Sequence, residues 1–181
     1  ELGGKDWDDR LVNHVAETFA EKHGVDPRDD PQPFQELYER CLAAKIALSN
    51  KPKAVIPVND KGKREAIPVT RDTFESITQD LVDQGEETAN LLLASQDMTW
   101  EDIDEVLLVG GSTKMPMIRN MVERIASGAT FPGVSPDEGV AVGANLAGVL
   151  RHQPNHPALK SVRQALKDRA TKKKAPPEDV D

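Results

Sequence analysis

The stretch Glu105-Val106-Leu107-Leu108-Val109-Gly110-Gly111-Ser112-Thr113 constrains the fold most, because four consecutive apolar residues run into two glycines and a hydroxyl pair. A short apolar run of that kind suits a strand buried on both faces, the arrangement of sheets flanked by helices, and it points to an α/β chain. Ser112-Thr113 and Pro116 then start a helix carrying Met117, Met121, Val122 and Ile125. Two glycines let a ligand approach the backbone, and a helix start offers free N–H groups, so a phosphate or a nucleotide suits the junction. A tight strand-to-helix turn with Ser112 as a plain N-cap explains the same residues about equally well. The spacing is neither that of a Walker A loop nor G-x-G-x-x-G.

The rest of the chain supplies helices and one hairpin. Leu11, Val12, Val15 and Phe19 form an apolar stripe behind Asp6, Asp8 and Asp9, which predicts an amphipathic helix with carboxylates complementing its N-terminal dipole. Phe34, Leu37, Tyr38, Cys41 and Leu48 recur at helical spacing up to Ser49. Two β-type runs, 54–58 and 66–70, flank Asn59-Asp60-Lys61-Gly62 and predict a hairpin; Pro57 and Pro68 mark its strands as edges. Thr70 caps a third helix whose apolar positions Phe74, Ile77, Leu81, Leu91 and Leu92 continue past Gly85 to about Ser95. Ser135-Pro136-Asp137-Glu138 has Ser at the N-cap, Pro at N1 and Glu at N3, a capping box that predicts a last helix carrying Gly139, Gly143, Ala144, Ala147 and Gly148. Close helix packing explains those small residues, and the helix dipole favours Asp137 without any ligand. Beyond Gln153, residues 158–171 predict a short basic helix and 172–178 a disordered segment.

Charge and composition exclude several functions. The formal net charge of −8 argues against a nucleic-acid surface, since only residues 160–174 are strongly basic. No apolar run approaches the roughly 20 residues that span a bilayer. One cysteine, Cys41, cannot form an internal disulfide, which fits a reducing compartment and makes the cytoplasm the expected location. His14, His23, His152 and His156 show no metal-ligand spacing, and no serine or cysteine nucleophile stands with a base. The chain starts at Glu1 without methionine and reads as a piece of something longer.

One side chain contradicts its setting. At about 100° per residue, Phe34, Tyr38, Cys41, Lys45 and Leu48 share a helix face, so Lys45 lies in an apolar seam with Ser49 one turn on. An ammonium there needs a partner or water. Snorkelling to solvent is the simpler reading and a ligand contact the sharper one.

Three segments taken together carry a resemblance. Leu2-Gly3-Gly4-Lys5-Asp6-Trp7-Asp8-Asp9-Arg10-Leu11, then Val106-Leu107-Leu108-Val109-Gly110-Gly111-Ser112-Thr113-Lys114-Met115-Pro116, then Ser135-Pro136-Asp137-Glu138-Gly139-Val140-Ala141-Val142-Gly143-Ala144 resemble, in order and spacing, the second lobe of the Hsp70 nucleotide-binding domain over roughly residues 2–150. The resemblance implies part of an actin-like ATPase (ribonuclease H-like) lobe of a stress-response chaperone, with a small α+β outer subdomain. Residues 1–85 correspond to that outer subdomain, 86–152 to the C-terminal part of the inner one, and 153–181 to a basic helix and tail without counterpart.

It further implies ATP or ADP, with Mg2+ in the complete domain. Lys45 and Ser49 match the family's ribose- and adenine-contacting lysine and serine. Gly110, Gly111 and Ser112 match its nucleotide turn, and Asp137 the acid near the base. Leu42 stands where glutamate is usual, Ile46 where an arginine covers the base, and Lys114 where arginine is usual. The implied partners are the first lobe of the same domain, a J-domain co-chaperone and a nucleotide exchange factor, with no membrane or nucleic acid. The family's D-L-G-G-G-T phosphate loop does not occur in this sequence, so no catalytic residue is expected here and the chain alone should not cleave ATP. In the family the 105–109 strand pairs with a meander expected upstream of Glu1, so that here it should recruit another chain or be covered by residues 153–171. A second reading, favoured by Leu42 and Ile46, is a non-catalytic Hsp70-like interaction module with a decayed nucleotide site. A sugar-kinase relative fits the first and third segments poorly.

Overall fold

The computed structural model describes residues 2–126, 138–152 and 164, and the chain divides into two compact units, Glu1–Pro136 and Asp137–Asp181. The first unit runs α1 (Gly4–His23), α2 (Pro31–Leu48), β1 (Lys53–Asp60), β2 (Lys63–Thr70), α3 (Arg71–Ala94), single 3-10 turns at Trp100–Asp102 and Gly111–Lys114, and α4 (Pro116–Ile125).

Local chemistry sets each boundary. Gly3 precedes α1 in extended conformation, and its N–H donates to the Asp6 carboxylate at 2.7 Å, satisfying one of the orphan donors at a helix start. Gly24, at φ 68°, ends α1 with its N–H on the Ala20 carbonyl at 2.8 Å, a left-handed cap that glycine adopts without steric cost. Proline occupies the first turn of α2, where a missing N–H does no harm. Lys61 and Gly62 both have positive φ, 45° and 77°, the signature of the two-residue type I′ turn whose twist matches a hairpin. Thr70 caps α3 by accepting from the Thr73 N–H at 3.0 Å.

The core lies where these elements meet. Leu11, Val12, Val15, Ala16 and Phe19 of α1 pack with Leu37, Cys41 and Leu48 of α2 and with Phe74, Leu81 and Val82 of α3. The hairpin contributes Ile56, which pairs with Ile67, together with Val58 and Val69, and its Pro57 and Pro68 face outward on a two-stranded sheet in which both strands are edges. Thr78 is fully buried and spends its hydroxyl on the Phe74 carbonyl at 2.8 Å. Helix α3 continues unbroken through Gly85, but past Val82 its predicted apolar positions Leu91 and Leu92 stand exposed.

The strand predicted over 105–109 does not form. Val106 makes one isolated bridge, and Leu107 and Val109 are 48% and 39% exposed. A strand exists only by pairing its backbone with a neighbour, and among the described residues the sheet consists of β1 and β2 alone. With no neighbouring strand among the described residues, the apolar run pairs only at Val106. Helix α4 forms as expected, with Met117 and Val122 buried. In the second unit, α5 spans Gly139–His152 and leaves Val140 and Val142 exposed. The capping box at Ser135-Pro136-Asp137, and the basic helix and disordered segment expected beyond Gln153, lie outside the described residues apart from Gln164.

Candidate functional site

Three elements converge on the first residue of α1. Lys45, one turn before the end of α2, reaches back so that its Nζ lies 2.8 Å from Asp8 Oδ1 and donates to the Gly4 carbonyl at 3.1 Å. Both side chains are nearly enclosed, Lys45 at 12% exposure and Asp8 at 7%. Lys45 therefore does not snorkel; it has a buried acidic partner. Asp8 was expected to complement the α1 dipole, a part that Asp6 takes instead through Gly3. Three and four residues on from Asp8 come Leu11 and Val12, and seven on comes Val15, so Asp8 belongs to the inward stripe. That register is the signal by which sequence reasoning could have found it.

The ion pair is one of charge more than of hydrogen-bond alignment. Asp8 Oδ1 is buried and has no aligned donor even though the ammonium is 2.8 Å away, and at such a separation in a dehydrated setting Coulomb attraction dominates. Removing one member would leave the other charge buried and unpaired. Burial, reinforced by the Asp8 charge, also pushes the neighbouring Cys41 thiol up to about 12. With the thiolate suppressed, Cys41 is an inert core residue.

The glycine turn approaches from the other side. A Cβ on Gly4 would sit 3.0 Å from Ser112 Oγ and 3.6 Å from Lys45 Nζ, so the missing side chain is what lets the turn and the ammonium come together. Gly110 has φ 94°, where other residues are strained. Its carbonyl accepts from the Thr113 N–H at 3.1 Å and from the Thr113 hydroxyl at 2.7 Å, which folds Gly111–Lys114 into a 3-10 turn. Met115 and Met117 sink into the core and moor this turn, while Gly110 and Gly111 stay exposed. Ser112 is not the N-cap of an α-helix, because α4 starts only after Met115.

Lys45 and Ser112 thus meet at Gly4, with Gly110 and Gly111 leading into the same turn. Ser49 is half-buried as the residue ending α2, one turn beyond Lys45. Ile46 is 61% exposed and, with Leu42 one turn earlier, gives α2 an apolar outer face. Lys114 closes the glycine turn at the surface. Asp137 lies outside the described residues. Among the described residues no group of three His, Cys, Asp or Glu side chains is arranged to hold a metal ion, and no helix is long and apolar enough to cross a membrane.

The family model described as "Hsp70 protein" matches residues 1–167. The chain belongs to the Hsp70 family, and that membership implies the actin-like ATPase fold for the domain to which it contributes. It is 38% identical over 154 residues to the chaperone protein DnaK of Halobacterium salinarum, an alignment covering 82% of this chain and 24% of that protein. It is likewise 38% identical over 155 residues to chaperone protein DnaK of Thermosipho africanus and 37% identical to that of Thermosipho melanesiensis, covering 82% of this chain and 26% of each relative. The chain therefore spans about a quarter of the length of these relatives.

Proposed function

We propose that the chain supplies the adenosine-side half of an ATP site in an Hsp70-type chaperone. The observation that carries this reading is the junction of Lys45, Gly4 and Ser112, where a buried ammonium is pinned beside a side-chain-free turn. The residues fit such a ligand. An ammonium has three donors; one of Lys45's goes to the Gly4 carbonyl and the Asp8 carboxylate lies beside the group, so it can still donate to a sugar hydroxyl. Ser49 and Ser112 add hydroxyls, Gly110 and Gly111 present bare backbone, and Leu42 with Ile46 offers an apolar wall to a base. Lys114 and Asp137 complete the family's set. The bound nucleotide, ATP or ADP with Mg2+ in the complete domain, would bring the phosphates and metal; this chain's part is to hold and orient the nucleoside. On this reading residues 1–85 are the outer subdomain, 86–152 belong to the inner one, and α3 joins them. A first lobe, a J-domain co-chaperone and an exchange factor act with the assembled protein.

Half a cleft binds weakly, so adenosine affinity is expected near the millimolar range, about −4 kcal/mol, with no phosphate release from ATP beyond background. Calorimetry or equilibrium dialysis comparing wild type with Lys45→Ala is the test: loss of adenosine binding in the variant is expected, and equal binding by both removes the reading. A second reading has one observation in its favour, the exposed apolar Leu42 and Ile46. If the site has decayed into an interaction surface, no nucleoside binds at any concentration.

A further inference from the structure

We infer that Asp8 determines what the junction accepts: by cancelling the charge of Lys45 it makes the site one for a neutral, hydroxyl-bearing ligand group and not for a phosphate. The inference rests on the nucleotide reading and adds Asp8 to it as the residue that sets the charge of the junction.

A lysine beside a glycine turn and a helix start has the elements of an anion site, since ammonium, backbone N–H groups and helix dipole all favour negative charge. Here the ammonium and the helix dipole have both been met from within the chain. Asp8 lies 2.8 Å from Lys45 Nζ and is as enclosed as the lysine, so the pair is neutral from outside. Asp6 accepts the Gly3 N–H at 2.7 Å and places a carboxylate on the dipole of α1. Lys5, the other cation of this turn, is paired with Asp9 one helical turn on. At the start of α1, Asp8 offsets Lys45, Asp9 offsets Lys5 and Asp80 offsets Arg10, so each of these cations already has a carboxylate beside it. An incoming phosphate would have to compete with those carboxylates for the cations, whereas a sugar hydroxyl needs only a donor. Lys45 remains such a donor, held by the Gly4 carbonyl on one side, and the absence of a side chain on Gly4 brings Ser112 Oγ to the same point.

The test uses the chain as it stands, with adenosine and inorganic phosphate as separate probes and amide shifts of Gly4 and Ser112, with the Lys45 ammonium signal, as the readout. In wild type, adenosine is expected to move these signals and phosphate at equal concentration to leave them unmoved. Asp8→Asn keeps the shape and removes the charge. It should shift the preference toward phosphate by about tenfold. Because an unpaired buried ammonium can destabilise the fold, Asp8→Ser, whose smaller side chain admits water, is the second variant, and the phosphate dependence of its melting temperature gives a readout even where the fold is marginal. Phosphate binding at the wild-type junction as strong as adenosine binding overturns the inference, as does an unchanged preference in both variants. If wild type binds neither probe but the variants gain phosphate at Gly4 and Ser112, the role of Asp8 stands and the nucleotide reading falls instead.

Discussion

Residues 4–82 and residues 100–126 are built from similar material and reach different ends. In the first, local devices set the ends of the elements: Gly3, Gly24 and Thr70 cap helices, and a type I′ turn sets the hairpin register. Their apolar faces then meet in one core. In the second, Met115, Met117 and Val122 are buried, but Leu107 and Val109 face solvent and the backbone between Glu105 and Gly110 has a single bridge. The contrast lies in the source of the hydrogen-bond partners. Helices and hairpins find them within a few residues, whereas an inner strand takes them from a neighbour distant in sequence. The site sits on the seam between the two regions, with Lys45 and Gly4 on the closed side and the glycine turn anchored to it by Met115 and Met117.

Truncation should expose the contrast most strongly. Phe19 is fully enclosed and Phe19→Ala is expected to cost about 3–5 kcal/mol in denaturant unfolding. Leu107→Ala, at a half-exposed residue of the same apolar character, should stay within about 0.5 kcal/mol. Comparable losses at both would mean that the second region is packed after all. Next in size come the local devices. Gly62→Ala puts a Cβ at φ 77° and Thr70→Ala removes the cap of α3, each expected to lower stability by about 1 kcal/mol. An unchanged midpoint for either would show that the core, not the local geometry, sets these boundaries.

A further effect appears only at high pH. Burial holds the Cys41 thiol near 12, while the same thiol in the unfolded chain ionises near 9.0. Between those values the unfolded state has released a proton that the folded state keeps, so stability falls as pH rises and is unaffected below pH 9 by this group. Cys41→Ser or Cys41→Ala should flatten that slope in pH-dependent unfolding, and thiol reagents at pH 8 should label Cys41 only on unfolding. Rapid labelling of the folded protein would place Cys41 outside the closed region.

These regions also differ in how far the sequence foretold them. The stripe of Leu11, Val15 and Phe19, the hairpin around Lys61-Gly62 and the start of α3 at Thr70 are local patterns, and the structure follows them. The run at 105–109 has the composition of a buried strand, but composition does not supply its neighbour. Lys45 was legible as a residue in need of a partner. Asp8 was not, because the helix dipole by itself accounts for a carboxylate at a helix start, and only its phase with Leu11 and Val15 separates it from Asp6. Gly4 belongs to the first of the three resembling segments; its use, to admit Ser112 and Lys45 to one point, depends on three segments far apart in sequence. The contact residues named for the nucleoside came from family resemblance, and Asp137 stands outside the described residues.

The most direct measurement is a residue-resolved NMR titration of the chain with adenosine. The account predicts shifts concentrated at Gly4, Lys45, Ser49 and the turn from Gly110 to Ser112, with the hairpin tip at Lys61-Gly62 silent, and their loss in Lys45→Ala. Saturating adenosine that leaves the Lys45 helix and the glycine turn unmoved, or that moves only residues away from Gly4, would contradict it.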